Sequence, residues 1–327
     1  LFALTKCICT VFAVITLELN LEALLWLEIV ILIITFVYIL YFLPFGQINS
    51  LFLSQKMYRH ALSFGFPLYL NNILTFIYSR IHIFIIAGLL HSAGIAFFEV
   101  ANKIPESCSR MFHAFIAVYF PHLSGLYKAD HHREAQDFIN HSLVLIASCG
   151  MVAALIAFLF REQIMVLFFS ADYLASAKSF AILMINFQIM AVSYTMGYTL
   201  VAAGYSTIPV KVNLISSAVS ITANYFLVGR IGFEGATFAL LLMNITAQIM
   251  NFAYLRKQRL LFSFCKHQIP IVLYFIFILP FYLNILEHWS LKVLAVLGYS
   301  LLLVLIYKEL RRTLFFPFRR YVQAHQV

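Results

Sequence analysis

Long apolar segments recur along the whole 327-residue chain, and they constrain its fold more than any other feature. A helix needs about 20 apolar residues to cross the hydrocarbon core of a bilayer. By that rule the chain contains ten predicted spans, near residues 1–17, 23–44, 60–90, 93–121, 138–160, 176–203, 207–228, 233–255, 268–287 and 290–308. The segments lack the short alternating pattern of a membrane β-barrel. We therefore predict an all-α fold, a polytopic transmembrane helical bundle.

The composition supports this prediction and excludes several classes of protein. Apolar residues make up 63% of the chain and charged residues 11%, whereas a soluble domain carries about 25% charged residues. This scarcity of charge excludes a soluble enzyme, a disordered protein and a nucleic-acid-binding protein, despite the net charge of +9. The five cysteines are scattered through apolar stretches and show no spacing typical of metal ligands; we interpret them as buried thiols.

The lysines and arginines between the spans are distributed unevenly. Fifteen of the 22 fall on the side that carries the two chain ends, and four fall on the other side. By the positive-inside rule the richer side, and with it both ends of the chain, is cytoplasmic. The residues at 309–327 form a basic cytoplasmic tail, which either lies on anionic phospholipids of the inner leaflet or only sets the topology.

One predicted span carries a stripe of ionisable residues. Glu99, Lys103, Glu106, Arg110 and His113 are spaced by four, three, four and three residues, which places them on one face of an α-helix. Each would cost roughly 2.5–3.5 kcal/mol at the centre of a bilayer. The stripe must therefore face a water-filled cavity or other protein groups, as a binding surface or as a salt-bridge lattice that fixes helix packing.

Arg80 and His82 lie on the preceding span, which a short turn at His91–Ser92 should join to the stripe helix in antiparallel orientation. Arg80 and Lys103 then fall at similar depth. Two cations on adjacent helices could hold an anionic group such as a pyrophosphate, because arginine supplies a forked contact and lysine a point charge.

Neutral polar residues form a second stripe on a later span, at Asn213, Ser217, Ser220 and Asn224. Two neighbouring spans carry further polar side chains, namely Asn186, Ser193, Thr195, Asn244, Gln248 and Asn251. Such groups either bind sugar hydroxyls or hold helices together by hydrogen bonds. The sequence leaves both interpretations open.

His132 and Asp137 have the spacing of a membrane acyltransferase pair, in which a carboxylate orients a histidine base. No second acidic or glycine-rich element follows them. We therefore interpret this segment as a solvated loop that leads into the next helix.

Several motifs carry a family resemblance through their order and spacing. They are Ser79-Arg80-Ile81-His82 with a following Gly88, the segment from Gly94 to Pro105, the segment from Phe120 to Ser124, Gly197 and Ala203-Gly204 ahead of Pro209, and the segment from Gly232 to Ala236. On these motifs the chain from Tyr58 to about Lys257 resembles the second six-helix lobe of the polysaccharide (O-antigen) flippases, which belong to the multidrug/oligosaccharidyl-lipid/polysaccharide (MOP) exporter superfamily.

The resemblance implies a domain organisation. Residues 1–45 would be the last two helices of a first lobe, residues 57–257 the six-helix second lobe, and residues 268–308 an appended helix pair. Four further helices of the first lobe would then precede Leu1. The implied fold is that of one lobe of a MATE-like exporter.

The resemblance also implies a function in the bacterial inner membrane. The protein would flip a polyprenyl-pyrophosphate-linked oligosaccharide from the inner to the outer leaflet by alternating access, for O-antigen, capsule or exopolysaccharide biosynthesis. The substrate cavity would be lined by Arg80, Lys103, Arg110, Asn213 and Asn224, and charge pairing or coupling would fall to Glu99, Glu106, His82 and His113. No cofactor or metal is implied, and Na⁺, H⁺ or the membrane potential could drive transport. The expected partners are the lipid-linked oligosaccharide, anionic phospholipids and polysaccharide polymerase or assembly proteins, and nucleic acid is not among them.

Three alternatives remain. A drug/cation antiporter of the same superfamily would need a net acidic cavity, whereas Arg80 and the stripe supply three cations against two carboxylates. An inactive or dimerising fragment is a second alternative. A membrane glycosyltransferase or polymerase is disfavoured because the predicted outer loops are short, so we predict that the chain is not an enzyme.

Overall fold

A computed structural model describes residues 21–42, 55–260, 269–282 and 288–307. Within these ranges the chain is helical and contains no strand, which confirms the predicted all-α fold. The helices are α1 (Leu21–Phe42), α2 (Gln55–Lys128), α3 (His132–Leu159), α4 (Arg161–Phe168), α5 (Ala177–Ala202), α6 (Thr207–Ile231), α7 (Phe233–Lys257), α8 (Ile269–Tyr282) and α9 (Trp289–Ile306), with a 3₁₀ helix at Ala171–Ser176. The predicted span at 1–17 and the tail at 309–327 lie outside the described residues.

Five helical segments in the described ranges are long and apolar enough to cross a membrane. One of them, Ala171–Ala202, combines the 3₁₀ helix with α5. The other four are α3, α6, α7 and α9. Shorter apolar helical stretches occur at Ile29–Tyr38, Arg80–Leu89 and Ile269–Phe281. A polytopic helical membrane protein is therefore confirmed.

The helix α2 folds back on itself. Its backbone is helical from Gln55 to Lys128, yet the rings of His82 and Phe98 lie with their centroids 4.8 Å apart. In a straight helix these residues would be about 24 Å apart, because each residue adds 1.5 Å. The chain therefore reverses direction between them, around the turn predicted at His91–Ser92. We call the two sides of this reversal the first arm (residues 70–90) and the second arm (residues 93–128).

The chain divides into two compact units, residues 1–69 and residues 70–327. In the described part of the first unit, α1 exposes a series of large apolar side chains, among them Trp26, Leu32 and Phe36. The second unit contains the helical bundle, and the following description concerns that unit alone.

Three apolar clusters form the core of the bundle. At one end the second arm of α2 packs with α3, α5 and the start of α6 through residues such as Tyr119, Leu143 and Leu200. At the other end the hairpin of α2 packs with α5, α6 and α7 through residues such as Phe98 and Phe180. The third cluster joins α8 and α9 to α3.

Helices α5 and α7 run parallel in a constant register. Lys178 Nζ donates to Glu234 Oε2 at 2.6 Å, Asn244 Nδ2 donates to Asn186 Oδ1 at 2.8 Å, and Asn251 Nδ2 donates to Ser193 Oγ at 3.1 Å. The partners are always 56–58 residues apart. These contacts fix the sliding position of one helix against the other.

Two glycines allow the tight connection between α6 and α7. Gly232 has φ 69° and ψ −152°, a region that is essentially restricted to glycine. A Cβ atom on Gly235 would lie 2.4 Å from the carbonyl carbon and oxygen of Leu227. The backbone conformation at Gly232 and the close approach at Gly235 explain why the motif from Gly232 to Ala236 carries glycine at these two positions.

Candidate functional site

The second arm of α2 has a buried face and a charged face. Its buried residues are Gly94, Phe98, Ala101, Pro105, Phe112, Ile116, Tyr119 and Leu123. They recur at intervals of three, four or seven residues, which places them on one face of the helix. Lys103, Arg110 and His113 are exposed. The exposed charged face is the stripe that the sequence spacing predicts.

A single ion pair forms within the stripe. Arg110 Nη2 lies 3.0 Å from Glu106 Oε1, and the exposed fractions of the two side chains are 76% and 32%. Lys103 makes no ion pair or side-chain hydrogen bond with any described residue. Glu99 is half-buried, and its Oε1 atom is enclosed without a hydrogen-bond partner in the same ranges. A continuous salt-bridge lattice is therefore absent from the described part of the stripe.

The first arm of α2 adds Arg80 and His82. The Arg80 side chain is exposed, whereas His82 is 5% exposed and its ring packs on Phe98. The contact between residues 82 and 98 places Arg80 opposite about residue 100, so Arg80 and Lys103 differ in depth by about one helical turn. His82 Nδ1 is buried and has no hydrogen-bond partner among the described groups.

Two asparagines, Asn213 and Asn224, are predicted to line the substrate cavity. Neither makes a hydrogen bond with the charged stripe in the described ranges. Asn224 is fully buried, and its amide donates to the carbonyl oxygen of Ser220 at 3.0 Å. Asn213 is half-buried, and its carbonyl oxygen accepts from Ser216 Oγ at 3.2 Å. The geometry of Asn224 is that of a packing residue, and a substrate role for either asparagine stays a prediction.

A buried hydrogen bond that the sequence analysis did not anticipate anchors the second arm. Thr199 Oγ1 donates its only proton to the carbonyl oxygen of Thr195 at 2.8 Å. Thr199 Oγ1 must therefore accept from Tyr119 Oη, which lies 2.8 Å away. His113 lies nearby, with its ring centroid 6.5 Å from that of Tyr194. A lone tyrosine in an apolar helix gives no sequence signal for such a contact.

The pairing considered for His132 and Asp137 does not form. His132 Nε2 lies 2.8 Å from Asp130 Oδ1, while His141 Nδ1 lies 2.6 Å from the backbone oxygen of Asp137. In the described ranges no group of three or more histidine, cysteine or acidic side chains could hold a metal ion.

Apolar helices that are long enough to span a bilayer, with charged groups gathered on one hairpin, define a multi-pass membrane protein. Residues 1–178 match the family described as polysaccharide biosynthesis protein, and since this match covers more than half of the chain, the chain belongs to that family. The resemblance to the polysaccharide flippases is confirmed. The search of curated proteins gave no match.

The fold is similar to a solved structure of the lipid II flippase MurJ in an inward closed conformation. The TM-score is 0.60 and the sequence identity is 15%. The similarity covers 82% of this chain and 60% of the MurJ chain. The chain thus spans less than two thirds of the length of MurJ, and at this identity the likeness shows a shared fold.

Proposed function

We propose that the chain is part of a transporter that flips a polyprenyl-pyrophosphate-linked oligosaccharide from the inner to the outer leaflet of a bacterial inner membrane by alternating access. Membership in the polysaccharide biosynthesis family and a MurJ-like fold support a lipid-linked substrate. The O-antigen or a related surface polysaccharide would be the product of the pathway that this transport serves.

The observation that carries the proposal is the surplus of unpaired cations on the α2 hairpin. Lys103 and Arg80 are exposed on neighbouring arms and have no carboxylate partner in the described ranges. An unpaired cation that faced lipid would be costly. A water-filled cavity that admits an anionic group gives both cations a favourable partner.

A pyrophosphate is complementary in charge to these cations. Lys103 and Arg110 lie seven residues apart on one face, which is about 10 Å along the helix. Arg80 and Lys103 would make the first contacts. Arg110 would then exchange Glu106 for the anion, and Glu106 would hold Arg110 again once the site is empty.

Glu99 and His82 are the proposed coupling groups. Both have a buried polar atom without a partner in the described ranges, and a buried unpaired polar atom is costly. Binding of a proton or Na⁺ would relieve that cost in one state of the transport cycle. His113 would stay in the charge-pairing role that the resemblance implies.

The test replaces Arg80 and Lys103 with glutamine, singly and together, in cells whose own copy of the gene is deleted. The matched control is Lys257→Gln, because Lys257 is an exposed lysine at the end of α7. Each lost charge-assisted contact should weaken anion binding about tenfold or more. The double variant should therefore accumulate lipid-linked oligosaccharide on the inner leaflet and lose surface polysaccharide, while the control should not.

The proposal would be contradicted if the double variant, present at a normal amount, left the distribution of lipid-linked oligosaccharide between the leaflets unchanged. The same cells decide between the alternatives. Accumulation of a cationic dye in the deletion strain, with a normal leaflet distribution, would indicate the drug/cation antiporter. A separate assay uses the purified chain, and glycan synthesis by that chain would indicate an enzyme.

A further inference from the structure

A partly open cavity of about 300 Å³, lined by both polar and apolar side chains, lies at the end of the bundle where α2, α5 and α7 end. Its polar lining consists of Tyr127, His132, Gln136, Tyr205, Gln258 and Arg259. It is remote from the charged stripe, because Tyr127 is 14 residues beyond His113, the last residue of the stripe, which is about 21 Å along the helix. The cavity therefore calls for an explanation separate from the transport site.

The three helices end in the same way around this cavity. After α2, α5 and α7, respectively, Asp130, Gly204 and Arg259 have positive φ angles of 61°, 93° and 56°. In each case the next residue donates its backbone N–H to a carbonyl oxygen five residues earlier, in the bonds His131 to Leu126, Tyr205 to Leu200 and Leu260 to Leu255. This closure satisfies carbonyl groups at the helix ends. The side chains therefore determine what the cavity can bind.

Arg259 occupies a position at which glycine is usual. The equivalent position after α5 is Gly204, and a left-handed backbone conformation favours glycine. The Arg259 guanidinium makes no hydrogen bond or ion pair with the described residues, although its residue lines the cavity. An unpaired arginine in this position leaves five donors for a ligand.

The other groups around the cavity also suit an anion. The Tyr127 hydroxyl is enclosed without a hydrogen-bond partner in the described ranges. Burial is the larger cause and the nearby Tyr205 the smaller cause that raise the pKa of Tyr127 to about 12. The hydroxyl therefore remains a donor at neutral pH. No carboxylate is among the described residues that line the cavity. Of the carboxylates close in sequence to His132, Asp130 pairs with His132 at 2.8 Å and Glu134 pairs with His131 at 3.4 Å.

We propose that this cavity binds a phosphate group, with Arg259 as the charged contact and Tyr127 as a neutral donor. The amides of Gln136 and Gln258 supply further donors. The phosphate comes either from the headgroup of a membrane phospholipid or from a soluble phosphate compound. The site would act independently of the pyrophosphate contacts on the α2 hairpin.

The key variant is Arg259→Gly, because glycine removes the charge and relaxes the left-handed backbone at the same time. Its matched control is Arg256→Gln, which removes an exposed arginine from the same helix end. Tyr127→Phe removes the neutral donor and tests the cavity without a change of charge. The full chain is purified in a neutral detergent, and its apparent unfolding temperature is measured with increasing sodium phosphate against sodium chloride of equal ionic strength.

A second arm of the experiment uses nanodiscs of phosphatidylcholine alone or of equal parts phosphatidylcholine and phosphatidylglycerol, without free phosphate. We expect one of the two phosphate sources to raise the unfolding temperature of the wild-type chain. Stabilisation by sodium phosphate assigns a soluble ligand, and stabilisation by phosphatidylglycerol alone assigns the lipid headgroup.

The half-maximal ligand concentration should rise about tenfold or more in Arg259→Gly, since a charge-assisted contact is lost. It should rise less in Tyr127→Phe and stay constant in Arg256→Gln. The proposal is overturned if neither source stabilises the wild-type chain, or if Arg256→Gln loses as much as Arg259→Gly. This measurement does not involve transport. A negative result would therefore overturn the phosphate site without contradicting the proposed flippase function.

Discussion

At the scale of single residues, Gly232 and Gly229 form a matched pair for a test of backbone strain. Gly232 has a positive φ of 69°, whereas Gly229 lies within α6 and a Cβ atom there would meet open space. Gly232→Ala should lower the stability of the chain by roughly 1–3 kcal/mol. Gly229→Ala should leave it unchanged or raise it by up to about 1 kcal/mol, because alanine favours the helix. Thermal unfolding of both variants in detergent checks this difference, and equal unfolding temperatures would contradict it.

The sequence predicts the charged residues better than the neutral ones. The spacing from Glu99 to His113 places a polar face on one helix, because charge in an apolar helix has few permitted environments. The same spacing from Asn213 to Asn224 does not distinguish sugar binding from packing. That distinction depends on how far neighbouring helices cover each amide, and Asn224 is fully buried while Asn213 is half-buried.

At the scale of helices, the hydrogen bond between Asn244 and Asn186 should couple α5 to α7. Replacing either residue with alanine removes this contact, and a double-mutant cycle isolates its coupling energy. Interhelical hydrogen bonds in membrane proteins contribute about 0.6 kcal/mol on average and up to about 1.7 kcal/mol, and we expect a value in that range. Equilibrium unfolding of the four proteins in detergent measures it.

The control for this cycle pairs Asn244 with Asn213, which has no side-chain hydrogen bond to α7 in the described ranges. The effects of Asn244→Ala and Asn213→Ala should add. A coupling between Asn186 and Asn244 no larger than in this control pair would show that the contact does not hold α5 against α7.

Hydropathy predicts the boundaries of several helices, but it does not predict the structure of every segment that connects them. The predicted spans at 207–228 and 233–255 agree closely with α6 and α7. The segment between α3 and α5 was expected to be an outer loop, yet it contains α4 and the 3₁₀ helix. These two helices are too short to be recognised as spans, because hydropathy detects apolar segments of about 20 residues and not short helices at their ends.

At the scale of the whole molecule, the contact between α5 and α7 and its register could not be predicted from the sequence, although the alternation of spans predicts that the two helices run in the same direction. Their contacts join residues 56–58 positions apart, and no local pattern encodes such pairs. The orientation in the membrane is the reverse case, since the distribution of lysine and arginine along the sequence predicts it.

That orientation can be tested with two neutral positions at opposite ends of α3. Ala129 and Gln163 are both exposed. The 28-residue helix between them is about 42 Å long, which exceeds the 30 Å or so of the hydrocarbon core. Ala129 lies beside Lys128 and Arg133 on the end predicted to be cytoplasmic, and Gln163 lies beside Arg161 on the other end.

In a chain whose native cysteines are replaced, Gln163→Cys should react with a membrane-impermeant maleimide in spheroplasts, where the outer face of the inner membrane is accessible. Ala129→Cys should react only after the membrane is permeabilised, because the positive-inside rule places it in the cytoplasm. Neither change alters a charge, so the orientation signal itself is preserved. The reverse labelling pattern would invert the bundle and place the phosphate cavity on the outer side of the membrane. Labelling of both positions in intact spheroplasts would mean that α3 does not span the bilayer.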